Sequence, residues 1–193
     1  MILDGTDLLI FRPRLPDELT GCSHTEAWEY YKTWYSHKFK RPAIKYEIGV
    51  HVRTGKIVWV WGPFRGATPD ISIFRTELVN RLNKGEVILA DRGYIGTVSI
   101  VTPSQYSGFN KITRLPEDRL LSCVRAKVEK TIGRIKYFNC CYHMFRHELK
   151  HHYLFFDVVC RLTNVNLKYE PLKSEREERA MGHPPDDACE FSS

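Results

Sequence analysis

Apolar and polar positions change period along this chain, and the changes mark its elements. Residues 2–11 alternate loosely around Ile2, Leu8, Ile10 and Phe11, which predicts an opening strand. Residues 12–41 are mixed: Pro13, Pro16 and Gly21 give way to the aromatic and basic run WEYYKTWYSHKFKR. Period two returns over residues 44–52 (IKYEIGVHV), a second strand. Thr54-Gly55 reads as a turn and residues 56–61 (KIVWVW) as the returning arm of a hairpin. Gly62, Pro63 and Gly66 are expected to break the sheet there.

A helix is expected next, with Thr68 as its cap, Pro69 in its first turn, and Ile71, Phe74, Leu78, Val79 and Leu82 at helical spacing before Lys84-Gly85 ends it. Residues 86–90 (EVILA) form a short, continuously apolar run, the pattern of a strand buried on both faces, so Asp91 falls at a strand's carboxyl end. Residues 98–101 suit a further short strand. From about Leu120, Val124, Val128, Ile132 and Ile135 make a helical stripe, and a second helix is expected over residues 147–167 with Leu149, Tyr153, Phe156, Val159, Cys160 and Leu162 inward. Antiparallel strands followed by strand–helix alternation argue for an α/β fold, a mixed sheet with helices on its faces. Beyond Pro171 the chain turns charged, then rich in proline, glycine and acid. The expectation is one domain over residues 1–170 and a disordered tail over 171–193.

Composition narrows the classes. With 193 residues, 42% of them apolar and 27% charged, the chain suits one globular domain with a proper core. A net charge of +6 favours an anionic partner such as nucleic acid without requiring one. No apolar run reaches the length needed to cross a bilayer, so no membrane role is expected, and MILDGTDLLIF lacks the basic start of a signal peptide. The six cysteines are scattered without a CxxC pair, which fits reduced thiols in the cytosol or nucleus. His143, His147 and His151 recur every four residues after Cys140 and Cys141. On a helix they would share a face able to bind zinc, but the tight cysteine spacing of structural zinc sites is missing, which favours solvated histidines.

Asp4, Asp91 and Glu129 form a possible constellation. If the first and fourth strands are neighbours, the two aspartates approach each other, and a helix crossing that edge can present Glu129. Three gathered carboxylates repel and resist ionising unless a cation neutralises them. Hard oxygen ligands suit Mg2+ or Mn2+, and two such ions about 3.5–4 Å apart serve phosphoryl transfer. The chain has 23 acidic residues, so many such triplets can be drawn; turn aspartates and a solvated helix glutamate are the plain alternative.

The local motifs narrow the choice. ILDGTDLLI, the segment from YYKTWYSHKFKR to GPFRGATPD, VILADRGYIG and RAKVEKTIGRIK, in this order over roughly residues 2–168, resemble the DDE endonuclease domain of PIF/Harbinger-like transposases. The resemblance implies an RNase H-like fold and metal-dependent DNA cleavage and strand transfer. It implies Asp4, Asp91 and Glu129 as catalytic metal ligands, through Asp4-Gly5-Thr6, Asp91-Arg92-Gly93-Tyr94 and Arg125-x-x-x-Glu129. Asp70, in Gly66-Ala67-Thr68-Pro69-Asp70, matches another family aspartate and competes with Asp91 for the second metal position; a first-turn residue complementing the helix dipole is its other reading. Around Glu129, Arg125, Lys127, Arg134 and Lys136 are either phosphate contacts or a solvated face, as are Lys38, Lys40 and Arg41. Tyr94 is expected beside Asp91 or in the core. DNA, a Myb-like DNA-binding partner protein and a homo-oligomer are the partners implied, and the nucleus is the expected location. The chain opens almost at the first catalytic strand, where the family usually carries helical DNA-binding elements. A catalytically silent, domesticated or truncated DNA- or protein-binding module is therefore the alternative expectation.

Overall fold

The computed structural model describes residues 1–102 and 116–173, with only the backbone for 116–124; the expected tail beyond residue 173 lies outside the described residues. Strand β1 (Ile2–Leu9) pairs antiparallel with β3 (Arg41–Val50), which pairs antiparallel with β2 (Tyr35–Ser36) and with β4 (Ile57–Arg65). On its other side β1 runs parallel to β5 (Ile88–Ala90), and β5 runs parallel to β6 (Ile100–Val101). The six-stranded mixed sheet carries helices on its faces, as expected of an RNase H-like α/β fold.

Alternation along β1 and β3 builds two cores. Ile2, Leu8, Ile10, Ile44, Tyr46 and Ile48 point to one face, where α4 (Pro116–Ile135) contributes Val128, Ile132 and Ile135, and α6 (His152–Tyr169) contributes Phe156, Val159 and Cys160. Tyr46 stacks on Phe156 at 3.9 Å between ring centroids, and its hydroxyl lies 2.9 Å from His152 Nδ1. The opposite face packs Leu3, Ile88, Ala90 and Tyr94 against Phe74 of α2 (Asp70–Thr76) and Leu78 of α3 (Leu78–Arg81).

Several elements depart from the sequence expectation. The mixed region contains a helix, α1 (His24–Lys32), opened by a capping box: Ser23 Oγ accepts from Glu26 N, and the Glu26 carboxylate accepts from Ser23 N. It buries no residue, so no apolar stripe announces it. Strand β4 runs through Gly62 and Pro63 instead of ending. These two residues bulge opposite Tyr46, between the pairs Glu47–Trp61 and Lys45–Phe64. Among the described strands β4 pairs only with β3, and Pro63 falls in the bulge between paired positions, where a residue without an N–H is tolerated. The single helix expected over residues 70–82 breaks at Glu77, whose backbone leaves the helical region. Pro69, not Thr68, occupies the cap position.

Helix α6 starts later than expected, after α5 (Asn139–Tyr142) and a short 3-10 turn. Its inward phase follows His152, Phe156, Val159, Cys160, Thr163 and Leu167, leaving Tyr153 and Leu162 half-exposed. His143, His147 and His151 all precede this helix, so no helical face aligns them. No group of three His, Cys, Asp or Glu side chains among the described residues is arranged to hold a metal. No helix among the described residues is long and apolar enough to cross a membrane.

The hairpin is tied down from both helices. Thr131 Oγ1 donates to Gly55 O (2.9 Å), where φ of +69° suits the glycine of the turn, and Lys127 Nζ donates to Val52 O (3.0 Å). Asn164 on α6 accepts from Ile57 N (2.7 Å) and donates to Ile57 O (2.8 Å), satisfying both backbone groups of that residue. Asn164→Ala is expected to cost about 2 kcal/mol, since two part-buried backbone groups lose their partners. Chemical denaturation would show it as a lower midpoint with an unchanged slope.

Candidate active site

The last parallel pair between β1 and β5 is Leu3 with Ala90. The next residues are Asp4 and Asp91, so the register sets the two aspartates side by side. Ile2 packs beneath α4 and α6, and the alternation turns Asp4 to that same face. Both carboxylates are steadied by a local amide: Asp4 Oδ1 accepts from Gly5 N (2.8 Å), and Asp91 Oδ1 accepts from Arg92 N (2.5 Å). Helix α4 crosses here. Its Arg125 Nη2 lies 3.3 Å from Asp91 Oδ2 and 3.6 Å from Glu129 Oε1. One guanidinium therefore links the strand acid to the helix acid.

The electrostatics mark Asp4 as the strained member. Burial raises its carboxyl pKa from 3.8 to about 6; Asp70 and Asp91 add to the rise, while the Gly5 amide and Arg125 oppose it. Asp91 and Glu129 are more open, with side chains 47% and 61% exposed. The oxygen-rich donor set suits a hard divalent cation, and burial leaves Asp4 short of positive charge. The acids are not preassembled as a three-ligand cage among the described residues. Arg125 lies against Asp91 and Glu129, so a cation could join these two acids only as the guanidinium withdraws.

Asp70 lies across β1 from Asp4. A Cβ on Gly5 would stand 2.7 Å from Asp70 Oδ1, which explains why glycine follows Asp4. Lys45 Nζ sits 3.0 Å from Asp70 Oδ1 and 3.9 Å from Asp7 Oδ1. It also donates to Thr68 O (3.0 Å), so one ammonium ties the Asp70 carboxylate to the backbone before α2. Glu47 is fully buried on this same face. Its Oε2 accepts from Trp59 Nε1 (2.9 Å), its Oε1 has no hydrogen-bond partner among the described residues, and burial lifts its pKa to about 7. The Tyr94 hydroxyl is buried and likewise has no hydrogen-bond partner among the described residues. Its pKa is raised first by burial and then by Glu47, Asp70, Asp4 and Asp91, so it belongs to both the core and the acid cluster. Sequence reasoning missed Lys45 and Glu47. Their signal was the polar half of the alternation IKYEIGVHV, which reads as solvent-facing but is covered by α2.

The family model of a DDE superfamily endonuclease matches residues 3–164, most of the chain. The chain belongs to the DDE superfamily of endonucleases. No curated protein and no solved structure matches it.

Around the acids of this DDE endonuclease, the expected DNA-contacting residues divide. Lys136, at the end of α4, lies 5.4 Å over the Phe39 ring, and its pKa is lowered by burial and then by Lys38, with Asp7 and Asp4 opposing. Lys38, Lys40 and Arg41 are exposed in and after the turn that precedes β3. Arg134 instead donates to Asn166 Oδ1 (2.8 Å) and Glu170 O (2.5 Å), holding the end of α6, and Lys127 is tied to the hairpin.

The raised Glu47 pKa sets a pH dependence. The folded state holds the proton more tightly than the unfolded chain. The associated stability is full below about pH 4.5 and is lost as pH rises through about 7. Glu47→Gln keeps an acceptor for Trp59 and removes the titration. Relative to the parent protein it is expected to gain on the order of 3 kcal/mol between pH 4.5 and 8, read by urea denaturation at both pH values.

Proposed function

We propose that the chain is the catalytic core of a metal-dependent DNA endonuclease of the cut-and-paste transposase kind, PIF/Harbinger-like in type, with Asp4, Asp91 and Glu129 as its Mg2+ or Mn2+ ligands. The observation that carries this reading is the β1–β5 register, which makes Asp4 and Asp91 neighbours under the helix that bears Glu129. When bound, a pair of divalent ions would supply the activation of the attacking oxygen and the stabilisation of the leaving one that strand cleavage and strand transfer require. The chain's own residues do the rest. Asp4, buried and fixed by Gly5 N, is the rigid ligand. Asp91 is held at the strand end by Arg92 N. Glu129, exposed on α4 and paired with Arg125, would complete the set. Arg125 offsets the charge of Asp91 and Glu129, and with a cation held by these acids its guanidinium would be available to a DNA phosphate. Lys136 and Lys38 would line the same path. Asp70, across the strand and held by Lys45, acts on Asp4 through space and is not placed in the ligand set.

A second reading, a catalytically silent DNA- or protein-binding module, is favoured by the Arg125 bridge, which already satisfies Asp91 and Glu129 without metal. Plasmid nicking in Mn2+ separates the two. The parent protein is expected to nick, and Asp4→Asn, Asp91→Asn and Glu129→Gln to lose on the order of 10³-fold in rate. Equal nicking by all four proteins, or none by the parent, would end the catalytic reading. Calorimetry supplies a companion measurement: Arg125→Gln is expected to bind Mn2+ about three- to fivefold more tightly, because a competing exposed ion pair is gone.

A further inference from the structure

Beyond the acids, the end of β1 runs into a second concave surface. Ile10 bridges Phe145, and Phe11 N donates to Phe145 O (3.0 Å), so the chain stays extended from Asp4 past the strand end. A groove there is lined by Phe11, Arg12 and Arg14 from this segment, Tyr30 of α1 with Trp34 just beyond it, and Arg146 from the loop between α5 and α6. Seven residues at about 3.3 Å each put it about 23 Å from Asp4, the rise of roughly seven nucleotide steps at about 3.4 Å.

The lining has the chemistry of a polyanion with flat rings. Arg12, Arg14 and Arg146 are exposed; Arg12 stacks over Tyr31 at 3.9 Å, which holds its guanidinium with no carboxylate partner among the described residues. Arg65 lies 5.2 Å over the Trp34 ring and 5.4 Å over Tyr30, adding charge behind the aromatics. Phe11 is 66% exposed, and Trp34 Nε1 is buried with no acceptor among the described residues. Glu148, the acid in the wall, is paired with Lys150 Nζ at 2.5 Å. Guanidiniums bind phosphates whatever the sequence, and exposed rings add stacking where a strand is unpaired. We infer that this groove seats the flank of a DNA strand whose neighbouring phosphodiester lies at Asp4 and Asp91. The inference rests on the reading that the chain acts on DNA, and it adds a site separate from the acids and from Lys38, Lys40, Arg41 and Lys136.

The test measures DNA affinity without metal. Fluorescence anisotropy in EDTA, with a mixed-sequence duplex of about 20 base pairs, gives the slope of log affinity against log salt. Replacing Arg12, Arg14 and Arg146 together with alanine is expected to reduce that slope by about 2 to 3, close to one per lost phosphate contact. The triple lysine variant is expected to keep most of the slope, which a purely structural role would not predict. A duplex of about 6 base pairs, too short to span from the acids to the groove, is expected to lose less affinity than the long one in the alanine variant. An unchanged slope in a folded alanine variant overturns the inference, as does a poly-glutamate peptide that competes as well as DNA. Mn2+ affinity by calorimetry keeps the two readings apart. Intact metal binding and nicking with an unchanged slope sinks the groove alone, whereas no DNA binding by the parent protein sinks both.

Discussion

The ladder between β1 and β5 ends at Leu3 and Ala90, and the next residue on each strand is an aspartate. Parallel partners share a face, so the backbone forces together two like charges that would otherwise separate. Burial makes the encounter harsher for Asp4, whose pKa climbs to about 6. The fold tolerates this because both strands are locked by apolar contacts on either side: Ile2 against the α4–α6 layer, Leu3 and Ala90 against α2 and α3. Packing energy spread over two cores thus holds a concentrated electrostatic conflict in place, and Arg125 partly relieves it.

The sheet also sorts charge between its faces. Toward α4 lie Asp4, Asp91, Glu129 and Arg125. Toward α2 lie Asp7, Lys45, Glu47 and Asp70, in a polar layer where Lys45 pairs with Asp70 and Glu47 Oε1 has no hydrogen-bond partner among the described residues. Gly5 is the thin point between them, since the space its missing side chain leaves holds the Asp70 carboxylate. Two acid groups on opposite faces therefore feel each other through one residue of backbone, and Tyr94 senses both.

The elements with strong apolar periodicity were legible in the sequence: β1, the hairpin of β3 and β4, the buried β5 ending at Asp91, and α4 with Val128, Ile132 and Ile135 inward. What escaped lacked that periodicity or was overridden by tertiary context. Helix α1 buries nothing, and only Ser23 and Glu26 betray it. Strand β4 passes through Gly62 and Pro63 because a bulge at an edge absorbs what a central strand could not. In α6 apolar residues surround the helix, so Tyr153 and Leu162 were as good a guess for the core as His152 and Thr163, and only packing against Tyr46 fixes the phase. The acids of the site could be picked by motif. Their neighbours Lys45 and Glu47 could not, because a polar residue under a covering helix looks in sequence like one facing water.

The bulge in β4 has a consequence for how this chain behaves in a crowd. An open sheet margin offers free backbone donors and acceptors to any passing strand and is where self-association begins. At Pro63 the donor is missing and the strand is deflected, and at Ile57 the Asn164 amide already occupies both backbone groups. The margin is thereby interrupted near both its ends. A second copy of the chain therefore meets no continuous ladder along this strand to pair with.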